Sequence, residues 1–543
     1  MKSKILEATD DKTDLKVLLL LFVSAVFVRA PRLFTLDVWF DEVAILLQTK
    51  MSFAEIWNFC KDENFPPLFP WIVIAWSSIS ADDRWLRILN LLVGSCIPPV
   101  LYLLGKEIAD KKFGRLLGAA SALSLPLVYY SQVIRMYSLF VLLASISYWA
   151  FFKVIETGKV KYWLLLAVAN VMGFYSFLFM IFVIVAEIAY LIFKYKDWWN
   201  IKGRFVLTVL PSLLIISLWS LTLLKRYEIQ QSSIPTHLLP QDPLMLVLYL
   251  GTGNNLGGNY LLASIINLPL MIGFILSIPH WSKHTFLFIL ALIFIFSLGS
   301  VTLLSIIGKS LFFYRYLSFL IPIYLALSFA GWWFARGLRL ARIGLVLSLA
   351  VLIFSQIYYH LNFLKINDEY RYHGQYHSAA DEDGKSISKI AGFLKDNIQA
   401  NEVIIHYSSI VIRSFSFFPS VYFHKRSLPE YVYSWDDLPD HCGRQYQKNG
   451  ERISSFSSIQ PTPNGVWVVT WGNPYLSIYD SPQAVAFRNE KRKWQDYENL
   501  PRELYNAGFK PERIVRSGSV SAVHFIRSEF LDYEPLEVEV IRS

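Results

Sequence analysis

The chain has 543 residues, of which 54% are hydrophobic and only 17% charged, with a formal net charge of +9. Its mean hydropathy is +0.39. An ordinary soluble domain is roughly a quarter charged, so this composition excludes a disordered chain, a collagen and a nucleic-acid-binding tail, and predicts a polytopic α-helical membrane protein. The 17 Trp, 30 Tyr and 40 Phe suit a protein with wide membrane interfaces. Cys60, Cys96 and Cys442 show no Cys-x-x-Cys spacing and read as free thiols rather than a metal cluster or disulfide framework.

The first apolar run, Val17 to Val28, lies between Lys16 and Arg29 and reads as an uncleaved anchor. Further candidate spans are 85–105, 115–131, 137–152, 161–176, 177–193, 204–224, 260–279, 285–307, 317–334 and 343–361. This predicts about eleven transmembrane helices by the ~20-residue length rule. With a cytoplasmic N-terminus, the cytoplasmic connections carry Lys106, Lys111, Lys112 and Arg115, then Lys153, Lys159 and Lys161. After these come Lys194, Lys196, Lys202 and Arg204, then Lys283, and finally Arg336, Arg339 and Arg342. Every one of these loops is basic, as the positive-inside rule requires, and the same parity puts the C-terminus outside.

Three segments then face outwards. In the loop 31–84, residues 66–80 are apolar but short, which predicts an interfacial helix. Segment 225–259 carries three prolines and a GTGNNLGGN run read as a loop. The tail after residue 361 has no span-length apolar run. It predicts a helix over 384–398, strands at 402–408 and 465–471, a short helix at 501–507 and two strands across 512–527. The expected organisation is a membrane domain, 1–361, followed by an extracytoplasmic α/β domain, 362–543.

Two groups of residues can carry chemistry. Asp41 and Glu42 follow Trp39 and Phe40 at interface depth. Carboxylates there lose hydration, so they need a partner or a chemical role, either as a general base towards a hydroxyl or as a ligand to a divalent cation. An acidic pair opening a helix and facing water fits equally. Arg135, among Tyr129, Tyr130 and Tyr137, stands on the outer side, where the positive-inside rule does not require a cation. Arg315 between Tyr314 and Tyr316, with Lys309 upstream, forms a second outer basic site; Arg84 and Arg87 form a third. A guanidinium suits bidentate phosphate binding, and a snorkelling headgroup arginine is the competing reading. Acid and cations on one side of the membrane would serve a phosphate-bearing lipid.

The motifs WFDEVAILLQ (39–48), NFPPLFPWIVIAW (64–76), DRWLRILNLLVGSCIPPVLYLLGKEIADKKFGRLLGA (83–119) and YYSQVIRMYSL (129–139) resemble the bacterial dolichyl-phosphate-mannose–protein mannosyltransferase-like family. That family is glycosyltransferase family 39 of the GT-C superfamily, which also holds the aminoarabinose transferases of lipid A. RYLSFLIPIYLAL (315–327) is a looser match. The resemblance implies an inverting sugar transfer from a polyprenyl-phosphate donor to an acceptor protein, lipid or glycan on the outer face of the plasma or inner membrane. It makes Asp41 the base and Glu42 its support, with a divalent cation there if one is used. Arg135 would bind the donor phosphate, with Arg315, Lys309 and Arg87 as further candidates. Tyr130, Tyr137, Pro66 and Pro67 would line the substrate cavity. The chain departs from many relatives at Phe65, where they place His, at Val133–Ile134, where they read Glu-Ala, and at Tyr175–Ser176–Phe177, where a His is common. A lipid-linked sugar flippase and a non-catalytic relative are the alternative readings; transporters tend to place their ionisable sites near the midplane.

Overall fold

The computed structural model describes residues 2–31, 33–34, 42, 45–46, 48–49, 51–63, 65–193, 198–224, 242–253, 260–307, 312–362, 386–407, 430–433, 451–471, 499–517, 520–528 and 537–541. The chain divides into two compact units. One holds Met1–Leu33 with Ser52–Asp368, and the other holds Phe34–Met51 with Glu369–Ser543.

The first unit is helical. In chain order it comprises α1 (Lys2–Arg29), α2 (Phe53–Glu63), α3 (Leu68–Ser77), α4 (Asp83–Ser95), α5 (Ile97–Ile108), α6 (Lys111–Ala122), α7 (Leu125–Gln132) and α8 (Tyr137–Thr157). There follow α9 (Val160–Ser176), α10 (Met180–Phe193), α11 (Trp198–Leu224), α12 (Asp242–Thr252), α13 (Tyr260–Trp281) and α14 (Thr285–Ile307). After a 3-10 turn, Tyr314–Leu317, come α15 (Leu320–Phe334) and α16 (Arg339–Asn362). Among the described residues, five helices are long and apolar enough to cross a membrane: Asp83–Ile108 taken through its bend, Tyr137–Thr157, Leu261–Trp281, Thr285–Ile307 and Arg339–Leu361.

Several other apolar runs form shorter helices, among them Leu68–Ser77, Met180–Phe193 and Leu320–Phe334. The 115–131 run is broken at Leu123–Ser124, where Pro126 opens α7 near its first turn. The 66–80 run gives the ten-residue α3. Helices α2 and α12 lie in segments where the sequence pattern predicts no helix. Leu261, Ile265, Ile275, Leu303 and Ile307 are exposed, whereas Leu320–Trp332 is buried throughout. A helix buried on all sides is the centre of a bundle, and an apolar exposed face is what lipid covers.

Buried polar groups of this unit are paired across helices. Ser147 of α8 and Asn170 of α9 both hydrogen-bond the Glu187 carboxyl of α10, at 2.7 and 2.8 Å. Outside the apolar run of α1, Asp14 meets Tyr102 at 2.5 Å and Lys111 at 3.2 Å, and also bonds Lys106. Burial alone would raise that carboxyl, but the bonds from Lys106, Tyr102 and Lys111 outweigh it and hold its pKa at about 2.

The second unit is built on a seven-stranded sheet of order β3-β2-β1-β4-β6-β5-β7. The strands are β1 (Glu402–Tyr407), β2 (Glu430–Tyr433), β3 (Glu451–Ile453), β4 (Gly465–Trp471), β5 (Phe509–Ser517), β6 (Val520–Arg527) and β7 (Glu537–Val540). Parallel ladders join β1 to β2 and β4, β2 to β3, and β5 to β7; β6 runs antiparallel to β4 and β5. Helices α17 (Ser386–Asn397) and α18 (Asn499–Asn506) fall where the sequence shows a helical pattern. Strand β1 is buried along its whole length, as a strand covered on both faces must be. One face packs Val403, Ile405, Val466, Val468 and Val523 with Leu500 and Leu504 of α18. The other face is polar in part: Glu402 bonds His524 at 2.9 Å and Trp467 at 3.1 Å, and Trp467 stacks on His524.

Candidate active site

Helix α7 ends at Gln132, and Val133 is extended, so the chain turns through 133–136 before α8 begins at Tyr137. Arg135 sits in that turn. The Arg135 amide donates to the Val133 carbonyl at 2.8 Å. The side-chain amide of Asn90, on α4, donates to the Arg135 carbonyl at 2.8 Å and also bonds the Val133 carbonyl. The turn is therefore held by a buried side chain of another helix, not only by its own backbone. Arg135 itself is half-buried.

Tyr130 and Tyr137, on either side of the turn, are buried with ring centroids 4.9 Å apart. From them two aromatic chains lead to the second basic site. Tyr130 shares a hydroxyl–hydroxyl bond with Tyr249 of α12. The Tyr249 ring lies 5.6 Å from Tyr314, whose hydroxyl reaches the buried carboxylate of Asp242 at 3.4 Å. Along the other chain, Tyr137 meets Phe177 at 6.0 Å and Phe177 meets Tyr316 at 5.2 Å. The Arg315 guanidinium lies over Tyr316 and Phe313, at 5.4 and 5.7 Å from their centroids. The fold thus brings the 129–139 motif and the 314–316 turn, about 180 residues apart in sequence, into one aromatic wall.

The remaining predicted residues are distributed differently. Arg87, on α4, is buried and donates Nη1 to the Leu33 carbonyl at 3.1 Å, one turn before Asn90. Pro66 and Pro67 are buried at the start of α3, where the Pro67 carbonyl accepts from Trp71. Glu42 belongs to the second unit and is buried, together with Ile45, Leu46 and Gln48. Asp41 and Lys309 lie outside the described residues, as does Cys442; Cys60 and Cys96 are free thiols. Among the described residues, no set of three His, Cys, Asp or Glu side chains is arranged to hold a metal ion. The divalent cation implied by the resemblance has Glu42 as its one described candidate ligand, which does not define a site.

Sequence reasoning passed over Asn90, Asp242 and Tyr249. Asn90 carried a signal in hindsight: it lies among the apolar residues of α4 at helical spacing from Arg87, and a buried amide must find partners. Asp242 and Tyr249 lay in a segment judged only by its prolines and glycines.

The described helices and the α/β unit make up a fold that is similar to solved structures. The crystal structure of ArnT from Cupriavidus metallidurans in the apo state matches with a TM-score of 0.56 at 11% identity, covering 96% of this chain and 98% of that one. The same protein bound to undecaprenyl phosphate matches with a TM-score of 0.50 at 14% identity, covering 94% and 97%. Residues 64–221 match the family model of the dolichyl-phosphate-mannose-protein mannosyltransferases. No curated protein matches the chain in sequence. The chain thus shares the fold of the ArnT structures, and its segment 64–221 is similar to that mannosyltransferase family.

Proposed function

We propose that this enzyme moves a sugar from a polyprenyl-phosphate carrier to an acceptor hydroxyl on the extracytoplasmic face, with inversion at the anomeric carbon. The observation that carries the reading is the aromatic wall from Tyr130 and Tyr137 to Tyr316: at one end Asn90 clamps the backbone of the turn that bears Arg135, and at the other the Arg315 guanidinium lies over Tyr316 and Phe313, in a protein otherwise sparing of charge. The neighbouring ArnT structure holds undecaprenyl phosphate, which supports the same class of carrier here.

In this mechanism Asp41 accepts the acceptor's hydroxyl proton as its oxygen attacks the anomeric carbon. The bond from that carbon to the phosphate oxygen breaks, and its electron pair leaves with the lipid phosphate. Charge grows on the leaving phosphate, and Arg135 stabilises it, because a donor already in place needs no reorganisation at that moment. Arg315 and Lys309 add positive potential, Arg87 acts from the base of α4, and Glu42 orients the acceptor. Tyr130, Tyr137, Pro66 and Pro67 line the cavity.

The test is transfer from a polyprenyl-phospho-sugar by purified wild type, Asp41→Asn and Arg135→Ala in lipid nanodiscs. Asp41→Asn should lose at least a thousandfold in turnover with donor binding kept, and Arg135→Ala should weaken donor binding at least tenfold. Wild-type turnover in Asp41→Asn would overturn the base assignment.

A further inference from the structure

Arg29, the last residue of α1, reads in the sequence only as the end of an apolar run. In the structure it is fully buried, with no exposed surface. Its guanidinium donates Nε to Ser131 Oγ at 3.0 Å and Nη1 to the carbonyls of Ala122 at 3.2 Å and Ala25 at 3.3 Å. All three acceptors are neutral, and among the described residues Nη2 has no hydrogen-bond partner. Burying a guanidinium among neutral acceptors costs stability, so its presence there needs a positional purpose.

The return contact supplies one. Gln132, next to Ser131, donates its side-chain amide to the carbonyls of Arg29 and Pro31, both at 2.8 Å. These carbonyls close the C-terminal end of α1, where no intrahelical donor remains. The amide's orientation is fixed from a third helix, because Tyr359 donates its hydroxyl to Gln132 Oε1 at 2.6 Å. Both amide hydrogens and the amide oxygen of Gln132 are thereby engaged. Ser131 donates in turn to Leu127 at 2.5 Å, so its hydroxyl proton is committed and its oxygen faces Arg29. Arg29, Ser131 and Gln132 form a two-way clasp between the end of α1 and the end of α7. The next residues of the chain are the turn that presents Arg135.

We infer that Arg29 is a positioning residue for Arg135: the clasp fixes where α7 ends, and with Asn90 it holds the 133–136 turn in the conformation that receives the donor phosphate. This rests on the reading of Arg135 given above, and the two can fail separately. A lysine at position 29 keeps the charge but cannot bond Ser131, Ala122 and Ala25 from one planar fork.

Two measurements on the full-length protein in nanodiscs decide it. The first is amide hydrogen exchange. In Arg29→Lys, uptake across 129–139 should rise at least fivefold while α15, at the bundle centre, keeps wild-type protection. Unchanged uptake in 129–139, or a rise spread over the whole bundle, overturns the clasp. The second is binding of polyprenyl monophosphate, with the corresponding polyprenol as control. Arg29→Lys should weaken phosphate binding about tenfold in the wild-type background and less than twofold in Arg135→Ala, because the effect passes through Arg135. The same loss in both backgrounds refutes positioning. If Arg135→Ala leaves binding intact, the phosphate reading falls, and hydrogen exchange still decides the clasp.

Discussion

Gly94→Ala tests the packing that lets the clasp close. Gly94 lies on α4 opposite Ser131. A methyl group there would stand 2.7 Å from Ser131 Cβ and closer still to its Oγ. Ordinary carbon contacts lie at about 3.5–4.0 Å, so the neighbour must retreat by ~1 Å. Ser131 cannot swing aside freely, since its oxygen is bonded to both Leu127 and Arg29. Overpacking costs about 1–3 kcal/mol, and stranding a charged N–H of Arg29 adds about 1.5–3 kcal/mol. A combined loss of roughly 4 kcal/mol should lower the melting temperature by at least ~5 °C in nanodiscs. It should also weaken polyprenyl-phosphate binding. In a Ser131→Gly background the methyl has room, so Gly94→Ala should cost less than half as much. A Gly94→Ala protein melting within ~1 °C of wild type, or an equal cost in both backgrounds, would refute the packing argument.

Other expectations are separate from that site. A Cβ at Gly331 of α15 would fall on the Gly273 carbonyl and 2.7 Å from the Ser277 amide of α13, all backbone. Gly331→Ala should force the two helices apart and cost about 3 kcal/mol or more, read as lost monodisperse protein on gel filtration. In the C-terminal unit, Glu402→Ala removes the acceptor shared by Trp467, His524 and the Gln399 amide, at 3.1, 2.9 and 3.0 Å. It should destabilise that unit by about 3 kcal/mol, measured as increased protease sensitivity. Burial, then the Glu503 carboxylate 2.8 Å away, push the Tyr433 phenol above its ordinary value. A raised phenol pKa contributes stability that is complete below the unfolded value of about 10 and is lost as pH rises beyond it. Tyr433→Phe should therefore flatten the alkaline proteolysis profile of that unit, and an unchanged slope would count against the assignment.

Most apolar helices were legible because their runs are long and continuous, and the C-terminal strands because residues 402–407 and 466–469 are buried on both faces. Helix α12 was missed because Pro235 and Pro240 precede it, Pro243 stands in its first turn and Gly251 in its last, and that punctuation outweighed an eleven-residue helix. Strands β2, β3 and β7 are three or four residues long, too short to show a period. Arg135, Arg315, Tyr130 and Tyr137 could be singled out by residue type. Their assembly could not, because it depends on Tyr249, Phe177 and Asn90, ordinary residues whose importance comes from where helices cross. Arg29 was hidden for a related reason: at the end of a span, a buried arginine and a headgroup arginine look the same.

The sheet of the second unit closes on its weakest members. Among the described residues its outer strands, β3 and β7, are three and four residues long, whereas β4, β6 and β5 inside have seven, eight and nine. Free strand edges recruit other chains in proportion to the length of ladder they offer. With so little described edge to extend, this sheet offers another chain few backbone groups to pair with.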